Sequence, residues 1–202
     1  VFPLDEYVPL NDAKYFSSFS PTVSIWYYYY YQDLALPDDF NFKYFGSAVK
    51  RVYVNSGGAL GIGNGTYVYG DTPLPNGSAP NGTLAPFWDY LSGSSYDSYK
   101  PGIRWQIDGE GDDQILKIEW SNMYNYYCYE LYGGYYGQCE DAKHFNFQIW
   151  IYEAQGDTDS LIQFRYGKIV NPTGRDDAYS YNGSTSGYVA TFTMGGIESP
   201  DN

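Results

Sequence analysis

Residues 39–63, DFNFKYFGSAVKRVYVNSGGALGIG, followed by residues 74–91, LPNGSAPNGTLAPFWDYL, decide the fold class. Phe40, Phe42 and Tyr44 alternate with Asn41 and Lys43. Within residues 49–55, Val52 and Val54 share a face with Lys50, while Arg51 and Tyr53 take the other. Such period-two alternation marks half-buried β-strands. Asn55-Ser56-Gly57-Gly58 has turn chemistry, because Gly and Asn tolerate positive φ. Leu60 and Ile62 resume the alternation between glycines, which predicts a bulge or a neighbour close to the backbone. Residues 70–86 hold four prolines and three glycines and read as a long loop. Phe87 and Trp88, two large rings side by side, are expected to anchor that loop to the core.

The same period continues outward. Ile103, Trp105 and Ile107 alternate with Arg104 and Gln106, and Leu116, Ile118 and Trp120 alternate with Lys117 and Glu119. The acidic run from Asp108 to Asp113 is the turn between them. Phe145, Phe147, Ile149 and Ile151 form the cleanest alternation, and Asp157 and Asp159 turn it back into Ile162, Phe164 and Tyr166. Residues 171–187 read as a polar loop and 188–194 as a last strand. No stretch has helical periodicity. These signals predict an all-β chain: a single antiparallel β-sandwich or jelly-roll-like domain with long Gly/Pro/Tyr-rich loops. Residues 15–202 would form it. Residues 1–14, with two prolines in an apolar and acidic mix, read as an extended N-terminal arm packed on its own domain or on the next subunit.

FNFKYFG, VYVNSGGALGIG, LPNGSAPNGTLAPFWDYL, LKIEWSN, FQIWIYE and the closing GYVATFTMGGIES follow one another in an order that resembles a β-sandwich domain of secreted and surface-anchored prokaryotic proteins, distantly similar to the nidogen-type extracellular domain. The resemblance spans about residues 15–198, and APFWD is its most specific block. Tyr90 stands where that pattern usually has a second acidic residue. The resemblance implies an adhesive or structural module and brings no catalytic residues.

A chain of 202 residues is long enough to bury a core as one domain. Its net charge is −13, and its basic residues are scattered, so nucleic acid and anionic membranes are poor partners. No apolar run reaches the length of a membrane span. Val1 reads as an end left by signal-peptide removal, which places the protein outside the cell or on its surface. Cys128 and Cys139 fit a disulfide in an oxidising compartment, the alternative being two free thiols. Closing so short a loop would stabilise by about 3 kcal/mol at most. Asn64, Asn76, Asn81 and Asn182 match the N-glycosylation pattern, whereas Pro172 excludes Asn171.

Candidate chemistry is sparse. The single histidine, His144, opens a strand with no GxSxG elbow to serve. Glu119 and Glu153 are the carboxylates to offer for glycoside hydrolysis, but Glu119 alternates away from the apolar face and is expected on the solvated side. Asp108, Glu110 and Asp112, with Glu119 at position twelve, mimic an EF-hand loop, yet Asp113 stands where Gly is needed and strands replace the helices. A looser Ca²⁺ site at Asp108, Glu110, Asp112 and Asp113 competes with a plain solvated turn. The 26 tyrosines exceed what one core absorbs. Tyr27, Tyr28, Tyr29, Tyr30 and Tyr31 expose one face of rings on a strand unless another layer or one another's rings cover it, and Tyr132, Tyr135 and Tyr136 crowd the cysteine loop. Such rings suit a subunit interface or stacking on sugars. The expectation is therefore a non-enzymatic, self-associating structural subunit of an extracellular assembly, with an adhesion or carbohydrate-binding module as the alternative.

Overall fold

The computed structural model describes residues 7–25, 31–63, 82–87, 91–125 and 143–170. Among these residues twelve strands run in chain order: β1 (Lys14–Tyr15), β2 (Tyr31–Ala35), β3 (Phe42–Tyr44), β4 (Ser47–Val49), β5 (Arg51–Asn55), β6 (Ala59–Ile62), β7 (Thr83–Leu84), β8 (Leu91–Ser92), β9 (Gly102–Asp108), β10 (Ile115–Asn125), β11 (His144–Tyr152) and β12 (Ile162–Tyr166). One sheet has the order β1-β9-β10-β11-β12, with β8 extending the β9 side of β10. A second has the order β2-β5-β6-β7, and β3-β4 is a separate hairpin. Every described pairing is antiparallel. The chain is an all-β sandwich, as its alternation predicts; among the described residues the only helical turns are 3₁₀, at Ser17–Phe19 and Gly111–Asp113.

The core follows the sequence parity. Phe40, Phe42, Val52, Val54, Leu60, Leu116, Ile118, Trp120, Phe147, Ile149 and Ile151 are all buried. Phe87 stacks on Phe147 at 5.2 Å, and Phe147 stacks on Trp120 at 5.1 Å. The Trp120 indole donates to the Asn55 carbonyl at 2.9 Å, tying the large sheet to the small one. Burial of an indole of this kind is worth about 3–5 kcal/mol against alanine. Phe87 thus anchors its loop as expected, while Trp88 lies outside the described residues.

Two local features depart from simple alternation. The strand expected over residues 49–55 is broken at Lys50: β4 pairs with β3, and β5 with β2. The β3-β4 connection needs this break, because Tyr44 pairs directly with Ser47 across a two-residue turn. Phe45 and Gly46 there have φ of +47° and +74°. Two positive φ values suit right-twisted strands, but for a bulky side chain the left-handed region costs about 1–2 kcal/mol. The second feature is a β-bulge: Trp120 faces Phe147 and Met123 faces Phe145, so Ser121 and Asn122 together oppose Asn146. Asn122 takes φ of +52°. The extra residue returns Met123 to the core, where it is fully buried.

Candidate functional site

Arg104, Glu119, Gln148 and Arg165 form one row across β9-β10-β11-β12, on the face turned away from the core. Alternation sends Glu119 to that face but predicts it solvated; this is corrected, because Glu119 has no exposed surface at all. The cover is the segment Tyr7–Leu10. The Tyr7 hydroxyl donates to Glu119 Oε1 at 2.6 Å, the Leu10 amide donates to the carboxylate at 3.3 Å, and Gln148 Nε2 donates to Glu119 at 2.8 Å and to the Val8 carbonyl at 2.8 Å. The Arg104 guanidinium completes the set as an ion pair. A buried carboxylate persists only when paired and hydrogen-bonded, and this one is both. Burial, then the negative charge of Glu119, push the Tyr7 phenol well above its ordinary range, so it stays a donor. Gly167 permits the approach: a Cβ there would lie 2.7 Å from the Tyr7 ring. The segment then continues into β1, whose Lys14 and Tyr15 pair with Trp105 and Arg104.

The neighbouring row carries a second closed network. Lys117 Nζ lies 3.8 Å from the Trp150 ring centre and the Arg165 guanidinium 3.3 Å from it, approaching from the strands on either side. Trp150 donates its indole N–H to Gln148 at 2.8 Å. Lys117 also pairs with Asp108 at 2.6 Å, and Gln106 donates to the same carboxylate at 2.7 Å. Burial raises the Asp108 pKa, but the Lys117 and Gln106 hydrogen bonds outweigh it and hold the carboxyl below its ordinary range. Trp150 has its ring faces engaged by cations, so it offers no stacking platform for a sugar.

Beside the bulge opens a cleft of about 530 Å³. Tyr7, Pro9, Arg104, Ser121, Asn122, Asn146, Tyr166, Gly167, Lys168 and Val170 line it. The amides are positioned by the bulge: the Asn122 N–H donates to Asn146 Oδ1 at 2.9 Å, and Asn122 Nδ2 donates to the Tyr99 carbonyl at 2.7 Å. At this same end of the sheet His144 Nε2 and Asp97 Oδ2 are 2.8 Å apart, both buried, with the Tyr99 ring 4.5 Å from the imidazole. This pair fixes the loop before β9 to the start of β11. His144 Nδ1 and Ser92 Oγ, in one row across β8-β10-β11, are buried without a partner. Among the described residues no nucleophile is bonded to the imidazole, and the pair is buried.

The other residues singled out by sequence are scattered. Glu153 is buried and accepts the Asn41 amide at 2.7 Å and the Gln114 amide at 3.1 Å, so it pins the β3-β4 hairpin to the large sheet. Glu119 and Glu153 point to opposite faces, and five strand positions place them roughly 17 Å apart, against about 5 Å for a retaining pair. Glu110, Asp112 and Asp113 are exposed on the β9-β10 turn, while Asp108 is engaged by Lys117. Among the described residues no three acidic, imidazole or thiol groups are placed to share an ion. Tyr31 is 39% exposed and meets Tyr53 edge-on at 5.8 Å. Tyr27, Tyr28, Tyr29, Tyr30, Tyr132, Tyr135, Tyr136, Cys128, Cys139, Asn64, Asn76, Asn81 and Asn182 lie outside the described residues. Sequence reasoning missed the clasp around Glu119 and the Asp97–His144 pair. Hairpin parity could have found Arg104 opposite Glu119; nothing local points Tyr7 or Asp97 to its partner.

A family model described as NIDO related matches residues 29–195. No curated protein and no solved structure gives a significant match. Among the described residues no helix is long and apolar enough to cross a membrane.

Proposed function

Because the chain belongs to the NIDO-related family, we propose that it is a non-enzymatic structural subunit of an extracellular or cell-surface assembly. A nidogen-related sandwich fits an extracellular structural or binding role. The observation that carries the finer reading is the exposure of aromatic rings on a domain whose buried charges are spent internally. Tyr15, Tyr31, Phe45 and Tyr96 stand at the surface, Tyr96 with 75% of its area free. Glu119, Glu153 and His144, the groups best able to do chemistry, each hold two chain segments together. Surface rings of this kind bury well against a neighbour. Residues 7–15 close on their own sheet, and the contact surface of this reading is the aromatic faces. Negative-stain electron microscopy of the native protein, with and without a calcium chelator, tests the reading. Filaments or sheets are expected, and their loss on chelation would put calcium at the contacts. Discrete single particles under both conditions would overturn it.

The cleft at the bulge favours a second reading, an adhesion or carbohydrate-binding module. Asn122 and Asn146 supply amide groups of the kind that fix sugar hydroxyls. It requires saturable glycan binding by a protein that does not self-associate.

A further inference from the structure

We propose that copies of this chain join head to tail, Phe45 and the acidic turn beside it seating in the bulge-side cleft of the next copy. This rests on the assembly reading and names its contact. Among the described residues the exposed charges at the two ends of the large sheet differ in sign. At one end Glu110, Asp112, Asp113, Asp157 and Asp159 are exposed on the β9-β10 and β11-β12 turns, where Lys43 Nζ, 3.5 Å from Asp157, offsets only one of the five. At the other, Lys100, Lys143 and Lys168 make no ion pair among the described residues. The nine residues of β11 separate these ends by about 27 Å. That exceeds the Debye length of about 8 Å at physiological salt, so these two groups of charges act separately on a neighbour.

Phe45 sits at the acidic end. Its ring is 50% exposed on a turn whose left-handed backbone disfavours a bulky side chain. The tip is held firmly. The Gly46 amide donates to Asp159 Oδ1 at 2.8 Å, Lys43 Nζ donates to the Gly156 carbonyl at 2.7 Å, and Tyr44 meets Phe45 edge-on at 4.8 Å. An apolar ring kept on a strained, rigid tip between carboxylates is shaped to enter something. The cleft matches it: Pro9, Tyr166 and Val170 give apolar wall, Lys168 gives positive charge, and about 530 Å³ accommodates a phenyl ring. Donor and acceptor lie at opposite ends, so the contact is heterologous and propagates rather than closing a dimer.

Sedimentation velocity over a concentration series tests this. The wild type is expected to assemble, less so as sodium chloride is raised. Phe45→Asn suits the turn better and should fold, but weaken assembly at least about tenfold. Asp157→Lys and Lys168→Glu should each weaken it, and the double variant should restore it, since the swapped charges meet across the contact. Should Asp157→Lys fail to fold by circular dichroism, Phe45→Asn and Lys168→Glu decide. Assembly of wild type that persists unchanged in Phe45→Asn, or a folded double variant that stays dispersed, overturns this contact and leaves the subunit reading standing. A wild type monomeric at every concentration overturns both.

Discussion

Replacing Glu119 by Gln tests whether the N-terminal segment is held by one buried charge. The exchange keeps the shape, leaves one acceptor oxygen and turns an amide toward donors. Tyr7, Gln148 and Leu10 then compete for that oxygen, and the buried Arg104 loses its counter-charge. Hydrogen bonds to charged groups are worth about 1.5–3 kcal/mol each, and breaking a buried pair from one side costs about 3–5 kcal/mol. Arg104 keeps the Tyr15 hydroxyl at 3.4 Å, which places the loss toward the lower end, about 3 kcal/mol. Urea unfolding would read the total. Hydrogen exchange at the Leu10 amide would read the local part, which should lose protection before the β10-β11 ladder does. Changing Arg104 to Met as well should recover part of the loss, because the orphaned cation is then gone. A change below about 1 kcal/mol with the Leu10 amide still protected would refute the clasp and leave apolar packing of Leu10 as the anchor.

Tyr7 and Tyr166 have raised folded-state pKa values, so the stability they lend is complete below the unfolded value of about 10 and is lost as pH rises beyond it. Tyr7→Phe should flatten that alkaline limb in urea titrations. Asp108 is shifted the other way: its contribution is present above about pH 3.9 and lost as pH falls through its lower folded value, so Asp108→Asn should flatten the acid limb. Gly58→Ala should destabilise by about 2 kcal/mol or more in thermal melts, since the new Cβ would sit 2.0 Å from the Phe87 carbonyl oxygen at a φ of +81°. Trp120→Phe should cost about 1–3 kcal/mol, because the buried Asn55 carbonyl loses its donor.

Alternation alone reveals which residues of β3, β5, β9, β10 and β11 face inward, since a sheet with one buried face leaves little freedom of register. It fails where a face is covered by something distant. Glu119 has the parity of a surface residue, and its burial comes from a segment 112 residues away. It fails again where the backbone breaks period: Met123 is core only because Asn122 takes a left-handed conformation that its sequence tolerates without demanding. Ser121, Asn122 and Asn146 of the bulge line the cleft, so that wall of it was as hidden as the bulge itself. The tyrosine surplus was legible as composition, but composition does not say which rings end up outside. Phe45, in a motif that reads as strand, stands out because its turn does.

The reach of the clasp also sets an order in time. Tyr7, Val8 and Leu10 emerge early from whatever delivers the chain, yet Arg104, Glu119 and Gln148 follow about a hundred residues or more behind; the Val8–Gln148 contact alone spans 140 positions. Closing so wide a loop is slow, and the carboxylate has no partner for it until β9, β10 and β11 are present together. The latch is therefore expected to shut late, after the strands it closes on. A newly made chain stays open along its N-terminal edge until the large sheet is nearly whole, then seals with a single charged catch, so a protease acting during delivery would find residues 7–10 long before it could find the core.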